Sequence, residues 1–347
     1  MSFKKLLKRS AGLASIAVVA IALFNFLPSI KVVSLIPILG KTEPTNSLSG
    51  RIGSDGPILV VKIDDTPPAH PQAGLEDADV VYIEQVEGGL TRLAAVFSSK
   101  IPKVVGPVRS ARISDIEILQ QYGRVAFAYS GAQFKLLPVI AAANLENLGA
   151  QRQSPEIYAN DPLRIAPTAM MLQAQKLMAN VAEAILPIAL SKSIGWSFGD
   201  GPDTGTAISS VKVSWPANSY DATWSISQER WLLSQRGVPD LSASGLQLGP
   251  TTFVIQLVAI TASEYHDKIG GVTPFSSTVG TGTGYVLRDG LAITANWTRP
   301  TADQGTKWID KSGGEIKFAP GQIWIALTDK APIFTAKFAD APSPASK

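Results

Sequence analysis

Apolar positions recur along most of this chain in short runs, and the spacing of those runs changes along its length. ILVVKID (58–64), DVVYIEQVE (79–87) and LTRLAAVF (90–97) are rich in β-branched residues and bounded by turn formers, which predicts three strands. Gly88 and Gly89 predict a two-residue turn that makes the last two a hairpin. In ISDIEILQQYG the spacing becomes helical: Ile113, Ile116 and Leu119 share a face, and Gly123 fits a stop. RVAFAYSG (124–131) predicts a further strand. QFKLLPVIAAANLENLG and TAMMLQAQKLMANVAEAI predict helices, the first interrupted at Pro138. Such mixing predicts an α+β or α/β N-terminal domain over residues 57–200. From about 205 the runs are short and rich in Thr, Val and Trp, as in SVKVSWP, TTFVIQLVAIT, GYVLRDGLAITANWTRP and GQIWIALTD. They predict a mainly-β C-terminal domain over 205–335, with Arg288, Asp289 and Gly290 at a hairpin turn and 336–347 as a flexible tail.

The N-terminus carries a different pattern. MSFKKLLKRS puts Lys4, Lys5, Lys8 and Arg9 before AGLASIAVVAIALFNFLPSI, a run of about twenty uncharged residues, the length a bilayer core requires. The following stretch offers no A-x-A-like cleavage site, which favours an uncleaved anchor over a cleaved signal peptide. Residues 1–10 read as a cytoplasmic basic segment, 11–30 as a transmembrane signal anchor and 31–56 as a tether, rich in Gly, Ser, Thr and Pro over 41–56. The basic flank places a single-pass protein with its folded domains on the extracytoplasmic side.

Composition narrows the chemistry. The chain has 347 residues, 45% of them hydrophobic, enough for two domains with their own cores. The net charge of +3 owes much to the N-terminal cluster, so nothing predicts a nucleic-acid surface. The absence of cysteine removes disulfides and thiolate chemistry, and two histidines, His70 and His266, argue against a zinc centre. VGTGTGYVL (279–287) lacks the Gly-Lys-Ser/Thr ending of a phosphate loop and leads into a strand, so its glycines predict tight turning or close strand packing. Ser130 lies outside any G-x-S-x-G elbow. The tryptophans at 215, 224, 231, 297, 308 and 324 predict core packing in the β half. No catalytic residue, cofactor or metal follows from these features.

One segment concentrates charge among apolar runs: EQVEGGLTRLAAVFSSKIPKVVGPVRSAR (84–112). A two-residue turn would set Glu84 opposite Leu93 and Gln85 opposite Arg92. Glu84 would then share a face with Val80, Tyr82, Val86, Leu93, Ala95 and Phe97, and a carboxylate on such a face must be paired, hydrogen-bonded or neutral. In GPVRSAR, Ser110 is placed to N-cap the following helix, with Arg109 and Arg112 flanking its first turn. Cations there oppose the helix dipole, by roughly 0.3 to 1 kcal/mol each, so something negative should offset them. Two readings stay open: Asp64, Asp79, Glu84 or Glu87 does so internally, or an external anion docks on the guanidinium forks. The candidate binding residues are Arg109, Arg112, Arg92, Glu84, Glu87 and Asp64.

IDDTPPAHPQAGLEDADVVYIEQVEGGLTRLAAVF, VGPVRSAR, RIAPTAMML, GTGTGYVLRDGLAITANWTR and GQIWIAL together resemble the YerB-like lipoprotein family, over most of the chain beyond the tether. The resemblance implies a two-part fold on the outer face of a bacterial membrane and assigns no chemistry. This chain has His70 where the family usually has Arg, Thr168 where it often has His, and no Cys to lipidate, so the apolar segment would do the anchoring. The expected function is a non-catalytic, membrane-anchored envelope protein that binds an envelope polymer or a cell-wall synthesis protein. The rival is a carboxylate-dependent hydrolase or transferase acting on cell-wall glycan. Two carboxylates about 5 to 9 Å apart in an open cleft would favour the rival; carboxylates each clasped by Arg109, Arg112 or Arg92 would favour binding or plain structure.

Overall fold

Runs of β-branched residues without polar alternation fit strands covered on both faces. The first half shows β1 (Leu59–Asp64), β2 (Val80–Gln85), β3 (Thr91–Phe97), β4 (Val125–Ala128), β5 (Leu145–Asn147), β6 (Tyr158–Asn160) and β7 (Met170–Leu172). Its helices are α1 (Ile113–Gln120), α2 (Leu137–Ala142) and α3 (Ala174–Glu183). These belong to a computed structural model that describes residues 43–201 and 204–337. The predicted basic segment, the anchor over 11–30 and nearly all of the tail lie outside the described residues. Among the described residues no helix is long and apolar enough to cross a membrane.

The second half adds β8 (Thr206–Trp215), β9 (Asn218–Ser225), β10 (Arg230–Gln235), β11 (Val238–Pro239), β12 (Thr252–Leu257), β13 (Ile260–His266) and β14 (Val272–Ser276). It continues with β15 (Gly280–Arg288), β16 (Leu291–Arg299), β17 (Lys307–Ile309), β18 (Ile323–Thr328) and β19 (Ile333–Ala336). The described chain is thus mostly β, with its few α-helices in the first half.

One hydrogen-bonded path joins both halves, in the order β11-β10-β9-β8-β16-β15-β12-β18-β2-β3-β1-β4-β5. Strand β18, with sequence IWIALT, is buried throughout and lies parallel to β12 on one side and to β2 on the other. Side chains alternate across the central strands, so two cores form. Val61, Ile63, Val81, Ile83, Leu93, Ala95 and Phe97 fill one. Val60, Val80, Tyr82, Ala94 and Val96 fill the other with Ile118 and Leu119 of α1. Each fully buried Val, Leu, Ile or Phe contributes about 1.5–3 kcal/mol.

Several expectations change on contact with tertiary structure. Residues 43–56, read as tether, contribute to the folded body: Leu48 is fully buried and Ser49 donates to the Asp79 carboxylate at 2.6 Å. Pro138 lies in the first turn of α2 instead of interrupting a longer helix, because a first-turn proline loses no intrahelical bond. The TAMML run is no helix; Met170–Leu172 pairs with β6 and Leu172 bridges to Val105, so cross-chain pairing overrides propensity. The GTGTG glycines do serve close packing. A Cβ on Gly284 would lie 2.3 Å from the Ile255 carbonyl, and one on Gly282 would meet the Trp297 indole at 2.7 Å. Asp289 and Gly290 form the two-residue turn between β15 and β16, with φ of 53° and 74°. Trp215, Trp231, Trp297, Trp308 and Trp324 are buried, and Trp224 packs on Trp231.

Candidate functional site

The charged segment assembles where β1, β2 and β3 end, and its register differs from the expected one. The β2–β3 turn spans Val86 to Leu90, closed by Val86 N donating to Leu90 O at 2.7 Å. A short 3-10 turn over Glu87–Gly89 replaces the two-residue hairpin, and Gly88 and Gly89 take φ of 68° and 73°. The longer turn slips the pairing by one residue, so Glu84 faces Arg92 rather than Leu93. Arg92 stands between Glu84 on β2 and Asp64 on β1, on the same face of the sheet as Lys62. Leu93, Ala95 and Phe97 belong to the opposite core.

GPVRSAR then crosses these strand ends in an extended course. Asp64 N donates to Pro107 O, Arg109 N to Lys62 O and Ser130 N to Arg109 O. The segment is pinned by backbone before any side chain is considered. Helix α1 starts at Ile113 with Arg112 as its N-cap residue, and the Asp115 carboxylate accepts from Arg112 N at 2.7 Å. Ser110, the expected cap, lies two residues earlier, where its carbonyl accepts from Arg92 Nη1 at 2.8 Å. Asp115 in the first turn supplies the negative charge that the helix N-terminus favours.

The candidate residues meet, but in three separate pairings. Arg109 Nε donates to Asp64 Oδ2 at 2.6 Å. Arg112 reaches Glu87 through Nε and Nη2 at 2.9 and 2.7 Å. Glu84 is held by neither arginine: it pairs with Lys62, whose Nζ also lies 2.7 Å from Asp115 Oδ1, in a cluster with no solvent exposure. Arg92 is left with one carbonyl. Among the described residues no carboxylate lies within ion-pair distance of it, although it is only 8% exposed.

The electrostatics follow from those contacts. Burial and the Asp115 carboxylate raise the Glu84 pKa to about 7 against the pull of Lys62. Burial works against the Glu87 carboxylate too, but the Arg112 guanidinium holds its pKa below the ordinary value. Burial, then the charges of Arg112 and Arg109, lower the Arg92 pKa to about 9.

Asp64, Glu87, Arg92, Arg109 and Arg112 line a cleft of about 830 Å³. Its walls include Leu90, Phe134, Leu137 and Pro167, and the β13–β14 hairpin reaches it with His266, Asp267, Lys268 and Ile269. Thr273 on that hairpin donates its hydroxyl to Glu87 Oε1, so the second half of the chain braces a site built mainly by the first. Four cationic side chains (Arg92, Arg109, Arg112, Lys268) face three carboxylates (Asp64, Glu87, Asp267).

Lys62, Asp115 and Thr273 were missed from the sequence. Lys62 had a signal, as the charge flanked on both sides by apolar residues in ILVVKID. Thr273 had none, since nothing local ties it to residue 87. His70 and Thr168 lie outside the cleft lining. His70 Nδ1 sits 3.0 Å from Asp240 Oδ1 and its Nε2 3.6 Å from Asp65 Oδ1, and Thr168 Oγ1 donates to Ile165 O. Asp65 also accepts from Tyr220, Gln235, Asn218 and Thr91, which closes a second charged node where the two halves meet.

Fold and site together describe a two-part, β-rich protein whose halves share one sheet and whose arginine cleft opens at the ends of its central strands. The chain belongs to the family described as protein of unknown function DUF3048: residues 45–186 match its N-terminal domain and residues 211–325 its C-terminal domain. It is similar to "Putative lipoprotein YerB" of Bacillus subtilis (strain 168), with 50% identity over 56 residues. That match spans 16% of this chain and 17% of the relative's length. The crystal structure of YerB protein from Bacillus subtilis shares the fold, with a TM-score of 0.72 over 84% of this chain and 99% of that one at 18% identity.

Proposed function

We propose that this is an extracytoplasmic, membrane-associated protein of the bacterial envelope that binds an anionic group of an envelope polymer or envelope protein in the arginine cleft, without catalysing a reaction. The name of the Bacillus subtilis relative and the apolar segment at 11–30 support the location. Arg92 carries the binding reading. A guanidinium buried at a cleft floor without a carboxylate is costly, and an anion from outside would offset that cost. The pairing of Asp64 with Arg109, Glu87 with Arg112 and Glu84 with Lys62 supports binding over carboxylate chemistry, since each of these three candidate carboxylates is held by a cation.

The test is equilibrium binding of the full-length protein, in detergent, to muropeptides and to anionic cell-wall polymer fragments. Arg92→Gln should weaken capture at least about tenfold, the loss of one charge-assisted contact, while the circular dichroism spectrum stays that of the wild type. Equal capture by wild type and variant would overturn the reading.

A further inference from the structure

Around the mouth of the cleft, separate segments each lift a large apolar side chain into solvent. Phe134 and Leu137 come from the turn into α2, and Ile269 from the tip of the β13–β14 hairpin. Phe134 is 84% exposed and Ile269 92%. Ile165, 86% exposed, stands two residues before Pro167, which lines the cleft. Isolated exposed apolar residues are ordinary, but several gathered around one opening mark a contact surface. The floor has the opposite character. Arg109 spends only Nε on Asp64 and Arg92 only Nη1 on Ser110 O, which leaves N–H donors of both forks for a multi-oxygen anion.

We propose that the occupant of the cleft is a phosphate-bearing amphiphile, with its phosphate on Arg92 and Arg109 and its hydrocarbon tail leaving along Phe134, Leu137 and Ile269. This rests on the anion-binding reading above and narrows it. A free inorganic anion would use the floor and leave the rim idle. A neutral hydrocarbon would use the rim and leave Arg92 uncompensated. Only a molecule with both parts uses both surfaces. The excess of one cation among the charged side chains of the lining suits the single negative charge of a phosphodiester or a singly ionised monoester.

Isothermal titration calorimetry on the full-length protein in a non-ionic detergent separates the possibilities, with hexyl phosphate, inorganic phosphate and hexanol as probes. Hexyl phosphate should bind at least about tenfold tighter than inorganic phosphate, the increment expected from burying about two methylene groups, and hexanol should show no heat. Arg92→Gln should weaken hexyl phosphate binding at least about tenfold. Phe134→Ser with Ile269→Ser, two changes at exposed positions that leave the core intact, should reduce hexyl phosphate to the affinity of inorganic phosphate. Equal affinity for the two phosphates would overturn the amphiphile and leave the anion site standing. Absence of phosphate binding by the wild type, or binding that Arg92→Gln leaves unchanged, would overturn both.

Discussion

Asp64 and Asp65 are consecutive and both buried, yet they serve regions closed in opposite ways. Asp65 faces the junction of the two halves, where Tyr220, Gln235, Asn218 and Thr91 donate to it and His70 lies between it and Asp240. Donors from distant parts of the chain fill that node, and Asp65 itself is almost fully buried. Asp64 faces the cleft, where it satisfies Arg109 and leaves Arg92 unmatched. Both regions carry the desolvation cost of buried charge. The cleft offsets part of it through the Asp64–Arg109 and Glu87–Arg112 pairs, and Arg92 alone keeps a single carbonyl, so on the proposed reading Arg92 is where an outside anion gains free energy.

The sharpest way to break the contrast is at Lys62, which closes the inner side of the cleft network. Lys62→Met leaves Glu84 and Asp115 facing each other without a cation and should cost about 3–5 kcal/mol, measured by urea denaturation. Arg112→Ala strands Glu87 in the same way, and a cost well under about 1 kcal/mol would make that pair a solvated surface contact instead.

A second measurement reads the junction through pH. Burial opposes the charge on His70, but hydrogen bonds and attraction to Asp240 and Asp65 outweigh it and raise its pKa from 6.5 to about 10. The folded state therefore holds this proton more tightly than the unfolded one. The stabilisation is complete below pH 6.5 and is lost as pH rises toward 10, with a slope of at most roughly 1.4 kcal/mol per pH unit. Glu84 adds a fall of the same sign between pH 4.5 and about 7. Melting temperatures across this range should decline, and His70→Gln should flatten the part above pH 6.5. An unchanged slope in that variant would remove His70 from the account.

At Arg92 the expected change in stability is small and of unusual sign. Because the fold lowers its pKa to about 9, replacing it with Gln should leave stability equal or slightly higher. A loss above about 2 kcal/mol would show that Arg92 is structural cement, like Lys62. The smallest effect belongs to the linker between the halves. A protease nick between residues 195 and 210, the boundary expected from the turn-rich SFGDGPDTGTAIS, should leave the two fragments together on gel filtration, since β18 lies between β12 and β2. Separation into two folded fragments would mean that the halves are independent.

Local features of this molecule were legible in its sequence, and distant ones were not. Strands β1 to β3, helix α1 and the Asp289-Gly290 turn follow from period and turn chemistry within a dozen residues. Of the four carboxylates expected to offset Arg109 and Arg112, Asp64 and Glu87 do so, while Glu84 and Asp79 are held elsewhere. The register did not follow. Gly88-Gly89 fits a two-residue turn as well as a five-residue one, and the choice is made by contacts such as that of Gly89 with Pro216, where a Cβ would lie 2.5 Å away. Nor did the partner of Glu84, since Lys62 reaches it only through β3 pairing with both β1 and β2. The burial of Leu48 was hidden because a single Leu in a Ser- and Gly-rich stretch carries no periodicity.

The place of β18 also sets a timetable. Ribosomes make Val80–Gln85 first and Ile323–Thr328 roughly 240 residues later, an interval of about 10–50 s at ordinary synthesis rates. Throughout that wait one edge of β2 has no neighbour, and an apolar strand with bare N–H and C=O groups is an invitation to pair with another chain. A polypeptide stopped before residue 323 would keep that edge for its lifetime, so truncated products of this chain should be substrates for chaperones and proteases rather than half-sized versions of the protein.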